Sequence, residues 1–250
     1  MTTEKPTFGN YERSSFLYDN YIPNADYKVA SQNLSALIKK LQPNARTLLD
    51  VGCGTGRHLE QLQNQFKVQG LDLQQGFLDI AQQRCPNIDF HKGNMIDFNL
   101  EVKFDVVICL FAAIGYVKTK ENLNKAITCM ANHLEPSGIL IVEPWLFPDQ
   151  YWLDKLNAEF IDKEDLKITR MFITKRKDRV SVYDIHYLVG TPSGIEYFVE
   201  REELGLFTNE EYLSAFETVG LTPSFDKDGG LFGQEHNMGI YIGTSDTEVI

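Results

Sequence analysis

Two aspartates and three glycines are the residues whose types and spacing most directly imply chemistry in this 250-residue chain. Asp50 lies in an apolar run, Thr47–Val51, and Gly52, Gly54 and Gly56 follow it at alternate positions. Leu59, Leu62 and Phe66 then recur at helical spacing. Strand, glycine turn, helix is the first unit of a doubly wound α/β domain, which binds ligands at the carboxyl ends of its strands. The spacing decides which ligand. A dinucleotide turn carries G-x-G-x-x-G with pyrophosphate on the helix N-terminus, and a phosphate-gripping loop carries Lys and Ser/Thr after its last glycine. Here the third glycine comes one residue early, and no Lys-Ser/Thr follows. A carboxylate at Asp50 repels pyrophosphate and suits a cation. Asp72 ends a second apolar run, Lys67–Leu73, about 20 residues after the first, where an acid binds the two hydroxyls of a ribose. The competing readings are a tight turn without a ligand and a solvated strand end.

The flanking pattern supplies the elements that must hold these groups. Val29–Leu41 reads as an amphipathic helix stopped by Pro43, and Phe77–Arg84 as another stopped near Pro86. Ile88–Lys92 is a short third strand, Phe104–Phe111 a fourth, Lys120–Leu134 a helix, and Ile139–Glu143 a fifth strand after the Pro136-Ser137-Gly138 turn. Such alternation predicts a parallel sheet. From about Leu166 to Phe207 apolar and polar residues alternate instead. Lys167–Arg176, Val180–Val189 and Ile195–Leu206 read as antiparallel strands, joined by turns at Lys177-Asp178 and at Thr191-Pro192-Ser193-Gly194. Inserted after the fifth strand, they would cap the site and exclude water. Glu210–Val219 reads as a helix, with Leu221–Phe225 and Met238–Ile242 closing the sheet antiparallel. The division expected is 1–143 as core with an N-terminal helical lid, 144–207 as capping insertion and 208–250 as completion of the core sheet.

Composition bounds the function. A formal net charge of −11 argues against a nucleic-acid groove, which shows a basic stripe. Cys53, Cys85, Cys109 and Cys129 form no C-x-x-C pair, so metal and disulfide readings are weak and a reduced, cytoplasmic setting is expected. No run approaches the ~18 apolar residues of a membrane span. His58 and His91 read as surface residues.

The segment Asp50-Val-Gly-Cys-Gly-Thr-Gly56 resembles motif I of class I S-adenosylmethionine (SAM) methyltransferases. The likeness extends through Tyr18-Asp19, 109–116 (Cys-Leu-Phe-Ala-Ala-Ile-Gly-Tyr), 134–138, 142–148 (Val-Glu-Pro-Trp-Leu-Phe-Pro), 183–187 and 206–208. In order, these resemble the N,N-dimethyltransferases of TDP-3-amino-deoxysugars, over roughly residues 16–243. The resemblance implies a Rossmann-like fold with a seven-stranded, mostly parallel sheet, SAM as cofactor, and a small-molecule amine, a TDP-amino sugar foremost, as acceptor; a homodimer is compatible with it. It implies Asp50, Gly52, Gly54 and Gly56 around the methionine part of SAM, Asp72 with Leu73 at the ribose, and Asn94, Met95 and Leu110 around the adenine. Tyr18 and Tyr21 would fold over the sulfonium, attracted as a cation to a ring face, with Tyr21 also toward the acceptor. Tyr116 and His186 are the catalytic candidates, His186 because its pKa range suits a proton acceptor. Glu143, Trp145, Phe147 and Asn237 would bind the acceptor. Each carries a rival structural role: packing for Tyr21, Trp145 and Phe147, a turn for Asn94, a cap for Glu143, an ordinary strand histidine for His186. The chain departs from the family at Met238, where those enzymes carry an Arg that helps hold the nucleotide sugar, and in a shortened segment at Ile22-Pro23-Asn24-Ala25. A lost cation weakens diphosphate binding, since charge-assisted bonds are the strong ones. An N- or O-methyltransferase of another natural product, or a non-catalytic SAM-binding protein, are the alternative functions.

Overall fold

The computed structural model describes residues 7–9, 11–21, 27–229, 231 and 238–245. Its elements run β1 (Thr7–Phe8), α1 (Tyr18–Tyr21), α2 (Tyr27–Leu41), β2 (Thr47–Val51), α3 (Arg57–Leu62), β3 (Lys67–Asp72), α4 (Gln75–Arg84), β4 (Asp89–Lys92) and β5 (Phe104–Cys109). They continue with α5 (Lys120–Asn132), β6 (Leu134–Val142), β7 (Leu156–Lys163), β8 (Leu166–Ile173), β9 (Lys175–Lys177), β10 (Val180–Thr191), β11 (Gly194–Gly205), α6 (Asn209–Thr218), β12 (Thr222–Asp226) and β13 (Ile240–Thr244).

Among the described residues these strands make two sheets. The first is seven-stranded, in the order β12-β13-β6-β5-β2-β3-β4. The run from β6 to β4 is parallel, and β13 pairs antiparallel with both β6 and β12. The last two strands thus close the sheet through antiparallel pairings, and β13 is the strand that runs against the rest. Strict alternation along the buried strands feeds two cores. Leu49, Val51, Val107, Cys109, Leu140 and Val142 pack with α5 and α6. Leu48, Val68, Val106, Ile108, Ile139 and Ile141 pack with α2, α3 and α4. With both faces covered, the strands read as near-continuous apolar runs. Two helices start at threonine caps: Thr119 accepts from the Asn122 amide on α5, and Thr208 and Glu211 form a reciprocal capping box on α6, a device whose loss costs about 1 kcal/mol.

The second sheet runs β1-β11-β10-β8-β7, with β9 on β10. It extends the antiparallel block seen in the sequence at both edges. Leu156–Lys163, which carries no turn signal before it, pairs antiparallel with β8. At the other edge Thr7 and Phe8 pair parallel with Val199 and Glu200 of β11. The N-terminal segment thus belongs to this sheet as well as to the core. β6 also starts earlier than its apolar run. Leu134 pairs with Phe104, and the register then shifts so that Ile139 meets Val106, with the Pro136-Ser137-Gly138 stretch bulged between. Among the described residues no helix is long and apolar enough to cross a membrane.

Candidate active site

The glycine turn leaves the carboxyl end of β2 under tight backbone control. Gly52, Gly54 and Gly56 all have positive φ, at 80°, 54° and 76°, a region that costs an L-residue about 1–2 kcal/mol. The amides of Gly52 and Cys53 both donate to the Leu71 carbonyl of β3, at 2.7 and 3.1 Å. A Cβ on Gly52 would stand 2.7 Å from Ala113 Cβ and 3.8 Å from Met95 Cε, whereas one on Gly54 would meet nothing within 4 Å. Gly52 is a packing glycine, and Gly54 borders open space that a ligand can fill.

Asp72 closes this cradle from β3. The Gly54 amide donates to Oδ2 at 2.9 Å and the Gln74 amide to Oδ1 at 2.8 Å. Burial raises its pKa while these amides oppose the rise. Asp50, 2% exposed, is pushed up to about 8 by burial and then by the neighbouring charge of Asp72. Glu143, at the end of β6, is pushed up to about 7 by burial. Its Oε2 accepts from the Phe111 amide at 2.6 Å and so holds the loop after β5, where Phe111 and Ala112 are both left-handed. That loop presses Ala113 against Gly52. Glu143 therefore acts as a cap on its neighbour.

Buried acids with raised pKa values are short of positive charge. The cradle fits SAM on that observation, together with the open space at Gly54: a sulfonium and an α-ammonium supply the missing charge. An aromatic cluster stands alongside. The Tyr11 ring meets Tyr18 edge-on at 5.4 Å, Phe77 at 4.9 Å and Tyr116 at 6.0 Å, and Tyr18 meets Phe77 at 5.0 Å. Helix α1 is latched over the turn by Asp19, which accepts from Thr55 Oγ1 at 2.7 Å and ion-pairs with Arg84 of α4. The Tyr18-Asp19 pair carried this signal in the sequence; the partnership with Thr55 and Arg84 did not.

Two of the residues expected at the acceptor, Tyr116 and Trp145, lie where core and second sheet meet. Tyr116, in the 3-10 turn Ala113–Val117 after β5, donates its hydroxyl to the Tyr11 hydroxyl at 2.9 Å. Trp145 Nε1 donates to Ser181 Oγ of β10 at 3.1 Å. Both pack with Tyr18 and Met238 against the inner face of the sheet, formed by Tyr183, Ile185, Tyr187 and Leu204.

Other expected residues sit elsewhere. His186 is exposed on β10, its Nδ1 2.6 Å from the Tyr197 hydroxyl. Period-two alternation turns it away from its buried neighbours Ile185 and Tyr187, onto the outer face, and removes it as a base for the acceptor. Phe147 packs edge-on against Phe225 of β12 at 5.8 Å, in the core of the first sheet. Asn94 Oδ1 accepts from the Ile96 amide at 3.3 Å, a turn contact. Leu110 is 3% exposed within the helix-covered core, whereas Leu73 is 54% exposed beside Asp72. His58 is buried, not on the surface: its Nδ1 lies 3.1 Å from Ser31 Oγ, and burial drives its pKa down to about 3. Asn237 and the side chain of Tyr21 lie outside the described residues.

A turn that refuses pyrophosphate, buried carboxylates short of a cation and an acid at the end of the second strand fit a SAM-dependent methyltransferase. Comparison agrees. Residues 48–138 match the family model described as "Methyltransferase domain". The chain is 34% identical to a dTDP-3-amino-3,4,6-trideoxy-alpha-D-glucopyranose N,N-dimethyltransferase of Streptomyces venezuelae, over 87% of this chain and 91% of that one. It is 37% identical to a dTDP-3-amino-3,6-dideoxy-alpha-D-glucopyranose N,N-dimethyltransferase of Streptomyces fradiae, over 83% and 84%. The SAM-bound structure of an amino pentose methyltransferase from Micromonospora echinaspora superposes with a TM-score of 0.81 at 32% identity, over 91% and 96%. The chain belongs to the class I SAM-dependent N-methyltransferases, in the group that contains these sugar N,N-dimethyltransferases.

Proposed function

We propose that this enzyme methylates the amino group of a nucleotide-linked amino sugar. The observation that carries the reading is the reach of the similarity. It covers 87% of the chain, far beyond the domain every SAM methyltransferase shares, and so includes the second sheet. SAM, when bound, supplies a methyl group on a sulfonium. The chain's own part is to position and to desolvate. Asp72 would bind the ribose hydroxyls, with Leu73 beside it; Gly54 would let the backbone approach the methionine part; Met95 beside Gly52 would line the adenine side. Tyr18, with Phe77 and Tyr11, would offer ring faces to the sulfonium. Tyr116 and Trp145 would wall the acceptor so that its nitrogen lies in line with the methyl, and positioning of this kind supplies much of a barrier's reduction. The second sheet would exclude water. The division into 1–143, 144–207 and 208–250 stays our proposal, with the N-terminal segment crossing onto the cap.

Met238 favours a second reading within the same activity. It packs among the apolar side chains of the cap, so a diphosphate gains no charge-assisted bond there, and an amine-bearing natural product without a nucleotide would lose nothing by it. Incubation with SAM and a panel of amines, dTDP-amino sugars included, followed by mass spectrometry of the products, tests the proposal. Methylated dTDP-amino sugar is expected; methylation of a different amine alone would replace the acceptor.

We also propose a homodimer built on the outer face of the cap sheet. Leu156, Phe160, Leu188 and Ile195 are exposed there, an apolar patch that marks interaction sites. Its carboxylates Asp162 and Asp184 are matched by Lys167 and Arg201, so two copies of an acidic chain can meet without like-charge repulsion. Sedimentation velocity should show a dimer, and Phe160→Glu a monomer.

A further inference from the structure

The inner face of the cap holds a carboxylate to which no motif read from the sequence gives a role. Glu202 lies on β11 and is 5% exposed. It alternates with Glu200 and Leu204, which face the same way and are equally enclosed. The phenols of Tyr11 and Tyr116 lie beside it, Arg170 of β8 attracts its charge, and Glu200 repels it. Its Oε1 is buried with no hydrogen-bond partner. An unmade bond at a buried carboxylate oxygen costs several times what a made one returns, so the oxygen calls for a donor that arrives with a ligand.

The charges around it say which donor. Arg170 is shared: its Nη1 donates to Glu159 Oε2 at 3.1 Å. Glu200 spends one oxygen on the Arg13 and Ser14 amides, at 2.5 and 2.9 Å, and so pins the segment that carries Tyr11. The buried Glu200 and Glu202 are thus set against a single Arg170 that the half-exposed Glu159 also draws on, and a cation is the missing piece. Tyr116 ties this spot to the acceptor side, since it touches both Tyr11 and Glu202.

We propose that Glu202 receives the acceptor's amino group, holding it as an ammonium and taking the proton that must leave before nitrogen can attack; this rests on the N-methyltransferase reading above. The balance is closed. The ammonium gives a proton to the carboxylate, leaving a neutral amine and a carboxylic acid. The nitrogen lone pair forms the new N–C bond as the S–C bond breaks, and sulfur keeps that electron pair. The product leaves as a protonated secondary amine, and Glu202 returns its proton to water. The same cycle serves a second methylation. Burial raises the pKa of Glu202, with Arg170 and the two phenols opposing, which brings it closer to that of an amine and eases the transfer.

The test is Glu202→Gln, which keeps the shape and removes the charge. SAM affinity by calorimetry should stay within about twofold, because the cofactor cradle is untouched. Turnover of dTDP-3-amino-3,6-dideoxyglucose near neutral pH should fall about 100-fold and recover as pH approaches the pKa of the free amine. The variant should also lose the wild type's tighter binding of this sugar over its 3-hydroxy counterpart. Glu202→Asp should retain that preference at a lower rate, and serves if the Gln variant fails to fold. Wild-type pH dependence and amine preference in Glu202→Gln would overturn the proposal, as would a wild type that binds amine and hydroxyl sugars equally. If the wild type methylates another amine but no sugar nucleotide, the sugar reading fails, and the same variants assayed on that amine decide Glu202 separately.

Discussion

The two halves of the site are built in opposite ways. On the cofactor side, one short stretch of chain does nearly everything: the turn from Asp50 to Gly56 and the acid at Asp72 lie on adjacent parallel strands, joined by Gly54 to Asp72 at 2.9 Å. On the acceptor side, each contact joins segments far apart in the chain. Tyr116 meets Tyr11, Trp145 meets Ser181, and Glu200 holds Arg13 and Ser14. A site made by backbone geometry tolerates little change. One assembled from loops and a sheet face can be re-cut for a new acceptor.

The sharpest way to break this comparison is at Gly54. Gly54→Ala should cost the ligand-free fold only about 1–2 kcal/mol, the ordinary penalty of a left-handed alanine, because its Cβ meets nothing within 4 Å. SAM binding should suffer far more, by at least about 3 kcal/mol or a hundredfold, from a methyl group placed in the cofactor's space. Calorimetry and thermal melts separate the two; equal small effects would mean that the open space is not the cofactor's.

A pH series sharpens the cofactor half. Asp50 and Glu143 titrate near 8 and near 7 in the fold, against ordinary values of 3.8 and 4.5. The unfolded chain therefore releases these protons first, and the folded protein binds more of them between about pH 4 and 8. Stability of the ligand-free enzyme should fall as pH rises through that window. A bound cation favours the ionised acids, so saturating SAM should flatten the fall and release protons near pH 7. Melting curves with and without SAM check this. A ligand-free Tm that rises from pH 5 to 8 would show that these carboxylates are already satisfied.

Smaller effects separate the two faces of the cap. Tyr116→Phe removes the hydrogen bond to Tyr11 and should slow turnover about tenfold. His186→Asn, on the outer face, should leave kcat/KM within about twofold. A large loss at His186 with Tyr116 silent would reverse the inner and outer assignments.

The same contrast explains what could be read in advance. The parallel sheet, the glycine turn and Asp72 were legible because hydrophobic periodicity and glycine spacing are local signals. In the antiparallel block the alternation was visible but not its phase relative to the core. His186 therefore reads as a candidate, although a one-residue change of face puts the buried Tyr187, not His186, on the inner side. Glu202 was hidden for the same reason, among the charged residues Glu200–Glu203, whose polarity carries no core signal. β7 was missed because its exposed apolar residues, Leu156 and Phe160, carry no core signal. The Asp19 latch and Tyr11 needed contacts between the N-terminal segment and distant turns, which no spacing rule encodes.

The most direct test of the account is a single competition. Wild-type enzyme with SAM is given equal amounts of dTDP-3-amino-3,6-dideoxyglucose and its 3-hydroxy counterpart, and the products are resolved by tandem mass spectrometry. The account predicts methyl on the sugar nitrogen, with mono- and dimethylated products appearing in turn and the hydroxyl sugar unchanged. Methyl on oxygen, or on neither sugar while another amine is consumed, would contradict it.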